Sequence, residues 1–421
     1  FIGCQKNNIQ PSKNYENKSD IKIVKREKLK KCTKIEFYGG IGKEEWRELS
    51  IIQVTDKKIT ATISHYFLIL GKTKGKYKIS KIIDLYPYNV ESFSCYLTAS
   101  SAERAFLQNA EDSGLSETLC SYHKTFIGAA EKGLLPKPKC IVYTNLACDA
   151  NLLTFHRLAE FYHVPVFSID VPSRQTASNV AYVAAQLRAL KRFLEQTTGR
   201  LIDEDLLAER VARGRETLEE FEKFQSARAD RFIPSDLVSP LYSGMTNNIL
   251  LGTEEEKLYT EKLLKDIKNA PPKKGKHIYW MHTIPFWSDA VKEALLLNDS
   301  AQIVGCELSQ VADLSVHSED PYEEMAMRLV YHALNGPISR RIEAGIHHAK
   351  QAGADGAVWF NHWGCKHTLG GSRIAKKRFE EAGIPMLILD GDGCDRSHGG
   401  EGQTSTRLGA FLEMLGDFDH E

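Results

Sequence analysis

The stretch that decides the fold runs from Cys140 to Asp170 and reads CIVYTNLACDANLLTFHRLAEFYHVPVFSID. Its first six residues form a compact apolar run typical of a buried strand, and its last seven form a second run of the same kind. Between them, residues 151–163 carry the apolar spacing of an amphipathic helix. A strand, a helix and a second strand in this order predict a βαβ unit, and therefore a parallel sheet.

A second stretch, residues 356–390, repeats this order. Both stretches contain an asparagine at the end of the first strand, a cysteine in the following loop, a proline that opens the second strand and an aspartate that ends it. These residues are Asn145, Cys148, Pro165 and Asp170 in the first stretch, and Asn361, Cys365, Pro385 and Asp390 in the second. The matched order suggests two related lobes that face one site.

The rest of the chain differs from these two stretches in its predicted secondary structure. Residues 178–269 are almost wholly helical in pattern and end at a Pro-Pro-Lys-Lys-Gly linker, and the second lobe shows helices near 286–297, 319–353, 372–383 and 404–416. We therefore expect an α/β fold with two parallel-sheet lobes, a helical insert and a small β-rich amino-terminal segment. The expected segments are a mobile lead-in (1–33), a small antiparallel β-rich segment (34–87), the first lobe (88–177), the helical insert (178–272) and the second lobe (273–421).

Composition excludes several classes of protein. With 42% apolar and 26% charged residues, the chain is neither fibrous, collagen-like nor wholly disordered. Its longest apolar runs are too short to span a membrane. The net charge of zero hides an asymmetry, because residues 1–90 carry +10 and the remainder −10. The excess lysines indicate a solvated sheet face and not a nucleic-acid surface, which would interleave aromatic residues.

The nine cysteines form an odd number and contain no CxxC pair, which argues against a disulfide framework and against zinc. Several lie where ligands gather in parallel-sheet proteins, at the carboxyl ends of strands, and others lie where a helix amino terminus favours the thiolate. Cys148, Cys365 and Cys394 follow predicted strands, Cys306 lies near the end of one, and Cys95 and Cys120 precede or open predicted helices.

Single cysteines from several loops suit an iron–sulfur cluster, because soft thiolates select iron and sulfide. For any one of them, the alternative is a small buried apolar residue, as we expect for Cys140 inside a strand.

Five motifs around these cysteines carry a resemblance to a known family. The stretches DLYPYNVESFSCYLTASSAERAF, LCSYHKTFIG, YTNLACDANLL and NHWGCKHTLGGSR, with the later LDGDGCDRSHGGEG, resemble the 2-hydroxyacyl-CoA dehydratase and benzoyl-CoA reductase superfamily over about residues 82–421. The resemblance implies two Rossmann-like lobes with helices between them. It also implies an unusual [4Fe–4S] cluster in the cleft on three cysteines, which by motif are Cys120, Cys148 and Cys365.

Three further cysteines distinguish this chain from a three-cysteine subunit. Cys95, Cys306 and Cys394 bring the number to six, the number that a double-cubane [8Fe–9S] cluster requires. The chain therefore looks most like the double-cubane cluster branch of the superfamily. For that branch the resemblance implies an oxidoreductase, the catalytic component of an ATP-dependent two-component reductase that reduces a small molecule.

The resemblance also implies partners and a location. It implies a separate ATP-hydrolysing [4Fe–4S] activator protein that supplies low-potential electrons, a homodimer and an anaerobic cytoplasm, with no nucleic acid and no membrane span. A lipoprotein remnant at Cys4 is the alternative for location. Two alternatives for function stay open: a single-cluster 2-hydroxyacyl-CoA dehydratase subunit, and a chimeric or fragmentary chain without cluster or activity.

Other candidate chemistry is less specific. Catalytic residues stay unassigned, although a carboxylate and four histidines near the expected cluster could donate protons to a substrate or serve only as structural neighbours. These residues are Glu307, His123, His282, His362 and His367. The glycine pairs near the carboxyl terminus match neither GxxxxGK[ST] nor GxGxxG, so the sequence predicts no ATP site in this chain.

Overall fold

The computed structural model describes residues 90–417, except Pro136 and residues 310–312, together with eight strands before residue 90. The chain divides into two compact units. One unit comprises Phe1–Cys4 and Asn89–Glu421, and the other comprises Gln5–Tyr88. No helix in the described part of the chain is long and apolar enough to cross a membrane.

The amino-terminal unit is built from antiparallel strands rich in isoleucine, tyrosine and threonine, residue types that favour a pleated sheet. β1 (Ile2–Gln5) precedes this unit and pairs in the sheet of the first lobe. The strands of the amino-terminal unit are β2 (Lys22–Lys28), β3 (Thr33–Ile41), β4 (Glu44–Trp46), β5 (Ser50–Val54), β6 (Lys58–Ile63), β7 (Tyr66–Thr73) and β8 (Lys76–Asp84). One sheet has the order β2-β3-β4 and another β5-β6-β7-β8, with antiparallel neighbours throughout. The predicted β-rich segment is confirmed; the expected lead-in, apart from its strand residues, lies outside the described residues.

The first lobe contains the predicted βαβ unit. Its helices and strands are α1 (Val90–Ala99), α2 (Glu103–Asp112), α3 (Ser121–Glu131), β9 (Pro138–Thr144), α4 (Ala150–Tyr162) and β10 (Val166–Ile169). β9 and β10 pair in parallel, within a sheet of order β1-β9-β10. The predicted strand, helix and strand are therefore confirmed. Four consecutive apolar residues of β9 are buried between the flanking helices, as expected for a strand of a parallel sheet.

The helical insert is also confirmed. It consists of α5 (Ala177–Thr198), α6 (Glu204–Ala227), α7 (Ser239–Ile249) and α8 (Glu254–Lys268). Three of these helices begin at a capping side chain that accepts a backbone N–H: Thr176, Asp203 and Thr253. Apolar residues of α6 and α8 share one core, formed by Leu218, Phe221, Phe224 and Ile267.

The second lobe is a four-stranded sheet of order β12-β11-β13-β14 in which all neighbours are parallel. Its strands are β11 (Lys276–Met281), β12 (Ala301–Cys306), β13 (Gly356–His362) and β14 (Met386–Gly391), and its helices are α9 (Asp289–Leu295), α10 (Pro321–Val330), α11 (Ile338–Gln351), α12 (Lys366–Leu369), α13 (Ser372–Glu381) and α14 (Glu401–Asp417). Helices cover both faces, so β12 and β13 are buried along their whole length.

One sequence expectation for this lobe is wrong. The single helix predicted near 319–353 is two helices, α10 and α11, separated by a turn. Gly336 in that turn has a φ of +102°, a conformation that L side chains rarely adopt. Pro337 then caps α11 in an extended conformation, and its ring disfavours a helical conformation at Gly336 before it.

The two lobes share the residues that the sequence repeats. Asn145 donates its side-chain N–H to Asp170 at 2.8 Å, and Asn361 donates to Asp390 at the same distance. The prolines correspond as well, because the carbonyls of Pro165 and Pro385 accept the N–H groups of Ile141 and Ala357 at 3.0 and 2.9 Å. Both strand couples are parallel, so the predicted repeat holds in register as well as in order.

Candidate functional site

Three of the predicted site cysteines lie in loops that approach one another. Cys120 caps α3, Cys365 caps α12, and Cys148 lies between β9 and α4. Burial raises the pKa of Cys120 well above its usual value, and the charges of Cys148 and Cys365 raise it further. The lowering of the thiol pKa that a helix amino terminus predicts is therefore not found at Cys120, and the three thiols lie close enough for their charges to interact.

Gly364 allows two of these loops to touch. Its φ of +81° lies in the left-handed region, and a Cβ added there would lie only 2.8 Å from Cα of Cys120. Real Cβ atoms do not approach backbone so closely. Glycine at this position therefore lets Cys365 and Cys120 come together.

We expect Gly364→Ala to destabilise the protein by about 1–3 kcal/mol, because alanine is strained at positive φ and its methyl group overlaps the backbone of Cys120. Urea denaturation of the full chain measures this loss. Gly370→Ala is the matched control, since Gly370 has a φ of −69° and its nearest neighbour would lie 3.5 Å from the added Cβ. Equal midpoints for the two variants would contradict the close approach.

Each of the three thiols has a histidine beside it, with the Nε2 atom of the ring nearest the sulfur. The Sγ to Nε2 distances are 3.2 Å for Cys120 and His362, 3.4 Å for Cys148 and His123, and 3.6 Å for Cys365 and His282. The rings of His282 and His362 stack with centroids 5.9 Å apart and an interplanar angle of 22°. The sequence placed these histidines near the site but did not pair them with the cysteines.

Burial keeps the three rings in the neutral form. It lowers the pKa of His123 to about 4, and it also lowers the pKa values of His282 and His362. Nearby positive charge acts in the same direction, since Arg341 lowers the pKa of His282 further. Neutral imidazole has one N–H and one acceptor nitrogen, so each ring can donate a single hydrogen bond.

A buried carboxylate, Asp392, joins the start of α3 to the loop after β14. One of its oxygens accepts the hydroxyl of Ser121 at 2.6 Å and the backbone N–H groups of Cys394 and Asp395 at 2.8 and 2.7 Å. This carboxylate therefore ties together two segments that carry candidate cysteines. The sequence does not predict Asp392 or Ser121 as site residues, although each lies within two residues of a cysteine.

A second buried carboxylate, Glu307, lies at the end of β12 beside His282. It accepts two hydrogen bonds from Arg341, at 2.5 and 2.7 Å, and the backbone N–H of His282 at 2.9 Å. Both side chains of the ion pair are only 2% exposed. The guanidinium also lies over the ring of Trp359 and donates to the carbonyl of His367. Arg341 was missed because nothing near it in the sequence indicates its partner.

Cys394 and Cys95 lie together beside α3. Cys394 is fully buried, with its sulfur 3.2 Å from the hydroxyl of Thr98 and 3.4 Å from that of Thr125. Burial raises the pKa of Cys394, and the charge of Cys95 adds to this effect. Cys95 lies in the middle of α1 and not at its start, because the helix begins at Val90.

Cys306 lies at the end of β12, as the sequence predicts, but its side chain lies in an apolar core. It packs there with Leu237 and Trp280, and its thiol donates to the backbone carbonyl of His282 at 3.4 Å. Burial raises its pKa to about 12. Cys140 is fully buried in β9, as expected for a core residue.

A model of one protein family matches residues 83–415, and its description is 2-hydroxyglutaryl-CoA dehydratase, D-component. The chain belongs to this family. The match covers both lobes, the helical insert and all six candidate cysteines. The resemblance derived from the motifs around the cysteines is therefore confirmed.

This chain is similar to three dehydratase subunits, at low sequence identity but over most of their length. The chain is 23% identical to the (R)-phenyllactyl-CoA dehydratase alpha subunit of Clostridium sporogenes, over 77% of this chain and 84% of the relative. It is 22% identical to the (R)-2-hydroxyisocaproyl-CoA dehydratase alpha subunit of Clostridioides difficile, over 80% and 87%. It is 23% identical to the (R)-2-hydroxyglutaryl-CoA dehydratase subunit alpha of Acidaminococcus fermentans, over 67% and 61%. All three relatives are named as dehydratases, which supports an enzyme; the oxidoreductase class stays a prediction.

Proposed function

We propose that this chain is a cluster-carrying subunit of a 2-hydroxyacyl-CoA dehydratase, with Cys120, Cys148 and Cys365 as ligands of a [4Fe–4S] cluster. The observation that carries the proposal is the close approach of loops from both lobes at these thiols. Gly364, next to Cys365, lies against the backbone of Cys120, and the histidines beside the Cys120 and Cys365 sulfurs stack on one another. In the described part of the chain, no three His, Cys, Asp or Glu side chains meet closely enough to hold a single metal ion. Three soft thiols around one space fit an iron–sulfur cluster, which supplies one-electron chemistry at low potential when bound.

The protein's own residues prepare this site by holding the thiols in place. Asp392 and the pair of Glu307 with Arg341 fix the loops, and the three neutral histidines approach the sulfurs. Cys120 is buried, and the buried ring of Tyr122 lies edge-on to His362 with centroids 5.1 Å apart. A thiol set held in place in this way binds a cluster with little rearrangement.

Three ligands are favoured over six by the position of Cys306. Its thiol donates to a backbone carbonyl and packs against apolar side chains, which is the environment of a structural cysteine. Cys394 donates or accepts with two threonine hydroxyls, a well-satisfied position within the core. These contacts support the single-cluster alternative.

The double-cubane reductase is the second candidate, and one observation favours it. The charge of Cys95 raises the pKa of Cys394, and the charges of both thiols raise the pKa of Tyr122, which lies two residues after Cys120. A second group of thiols thus lies within reach of the first. If Cys95 and Cys394 bind a second cubane, the chain is an oxidoreductase with an [8Fe–9S] cluster on all six cysteines, which stays a prediction.

The partners proposed here rest on the family resemblance. We propose that a separate ATP-hydrolysing [4Fe–4S] activator supplies electrons to this chain in an anaerobic cytoplasm. The relatives are named alpha subunits, so a different second subunit is proposed beside the homodimer that the sequence analysis predicts. Size-exclusion chromatography of the chain alone and with a candidate second subunit distinguishes the two assemblies.

Iron and sulfide analysis after anaerobic purification tests the cluster. About four irons per chain are expected for the single cluster and about eight for the double cubane. Activity is then measured with reduced activator, ATP and (R)-2-hydroxyacyl-CoA thioesters, with release of water and formation of the unsaturated thioester as the readout. A chain that stays free of iron after reconstitution would contradict both candidates and favour the fragmentary alternative.

A further inference from the structure

Both ring nitrogens of His362 are engaged by the protein. The backbone N–H of Gly393 donates to Nδ1 at 3.0 Å, so this nitrogen carries a lone pair and no proton. The single proton of the neutral ring is therefore on Nε2. Nε2 lies 3.2 Å from the sulfur of Cys120, so its N–H points to that sulfur as a hydrogen-bond donor.

The neighbouring carboxylate does not alter this assignment. Oδ1 of Asp392 lies 3.8 Å from Nδ1 of His362, beyond hydrogen-bond distance. The same oxygen already accepts three donors, from Ser121, Cys394 and Asp395. Nδ1 therefore keeps Gly393 as its partner, and the proton stays on Nε2.

We propose that His362 is a positioning residue for Cys120, and that its Nε2–H donates to the Cys120 thiolate and raises the reduction potential of the cluster that this thiolate ligates. The inference rests on the proposed function. Reduction adds negative charge to a cluster and its sulfurs, and a hydrogen-bond donor stabilises that added charge. Removing the donor should therefore make the cluster harder to reduce.

This role differs from the proton donation to substrate that the sequence allowed for His362. A proton donor must present its N–H to a bound molecule, whereas both nitrogens of this ring contact the protein and the side chain is 1% exposed. The rings of Tyr122 and His282 lie against its faces and edges, with centroids 5.1 and 5.9 Å away. His362 is thus a buried residue beside the Cys120 thiol, with both ring nitrogens in contact with the protein.

The same arrangement recurs at the other two thiols, which supports a shared purpose. Nε2 of His123 lies near Cys148, while Nδ1 lies 2.8 Å from the hydroxyl of Thr154. Nε2 of His282 lies near Cys365, with Nδ1 3.3 Å from the hydroxyl of its neighbour Thr283. His362 is the sharpest case, because a backbone N–H can only donate and so determines the tautomer.

Reduction potentials of the reconstituted full chain test the inference. His362→Leu removes the donor, whereas His362→Gln keeps an N–H near the position of Nε2. At equal iron content, we expect a more negative midpoint potential in His362→Leu and a potential near that of the wild type in His362→Gln. An unchanged potential in His362→Leu, or equal shifts in both variants, would overturn the inference.

A second measurement separates this inference from the proposed function. If the wild-type chain binds no iron, the proposed function fails, and so does the effect on potential; the hydrogen bond is then decided by NMR of the ¹⁵N-histidine-labelled, iron-free full chain. We expect the Nε2–H tautomer for His362 and a displaced Nε2–H resonance in Cys120→Ala but not in Cys140→Ala. The Nδ1–H tautomer, or a resonance that Cys120→Ala leaves in place, would overturn the hydrogen bond itself.

Discussion

Replacing Cys365 by serine is expected to remove most of the bound iron, from about four atoms per chain to fewer than about one, and to abolish dehydration activity. Serine is a hard, weakly acidic ligand that replaces a soft thiolate poorly at iron. The measurement is iron and sulfide content after anaerobic reconstitution of each variant. Cys140→Ser is the control, because Cys140 is fully buried in β9 and is not a proposed ligand.

The same experiment on Cys306 and Cys394 distinguishes one cubane from two. The single-cluster proposal expects each serine variant of these two residues to keep the iron content of the wild type. A loss approaching half of about eight irons in either variant would instead support the double cubane. Retention of all iron in Cys365→Ser would contradict the assignment of Cys365 as a ligand, which the single-cluster and the double-cubane candidates share.

The second large effect is expected at the buried ion pair of Arg341 and Glu307. Arg341→Met leaves Glu307 as an uncompensated charge in a site where both side chains are 2% exposed. We expect a loss of about 3–5 kcal/mol in the free energy of unfolding, measured by urea denaturation of the full chain. Adding Glu307→Gln to this variant should recover part of the loss, because the double variant buries no charge.

An exposed pair provides the comparison. Lys262 and Asp266 lie 3.0 Å apart on α8 with side chains 73% and 59% exposed. Lys262→Met should change stability by at most about 0.5 kcal/mol, because water screens exposed charges. If Arg341→Met were as mild as this control, the ion pair would not hold the β12 end of the site together.

Local patterns in the sequence predict the elements of the lobes. The apolar runs ending at Asn145 and Asn361 indicate buried parallel strands, and these strands pair in parallel in the structure. The turn that separates α10 from α11 was missed, although Gly336 and Pro337 are adjacent in the sequence. These two residues require a turn, which interrupts the helical pattern on either side of it.

The site depends on pairs that the sequence separates widely. Cys120 and His362 are 242 positions apart, and Arg341 is 34 positions from Glu307. No periodicity or spacing connects such residues, because each contact arises only when separate elements pack together in the tertiary structure. The same reason explains Asp392, whose partner Ser121 lies 271 positions away.

The sequence by itself determined the residue types of the site and the strands and helices that carry them. Its repeated Asn, Cys, Pro and Asp residues and its apolar strands encode two parallel-sheet lobes, since side-chain pattern and turn chemistry act over short distances along the chain. Only the tertiary structure decided which cysteines share a neighbourhood and which histidine faces each sulfur. Those contacts follow from the packing of loops, and Cys306, at the end of a strand like the others, is turned into an apolar core by that packing.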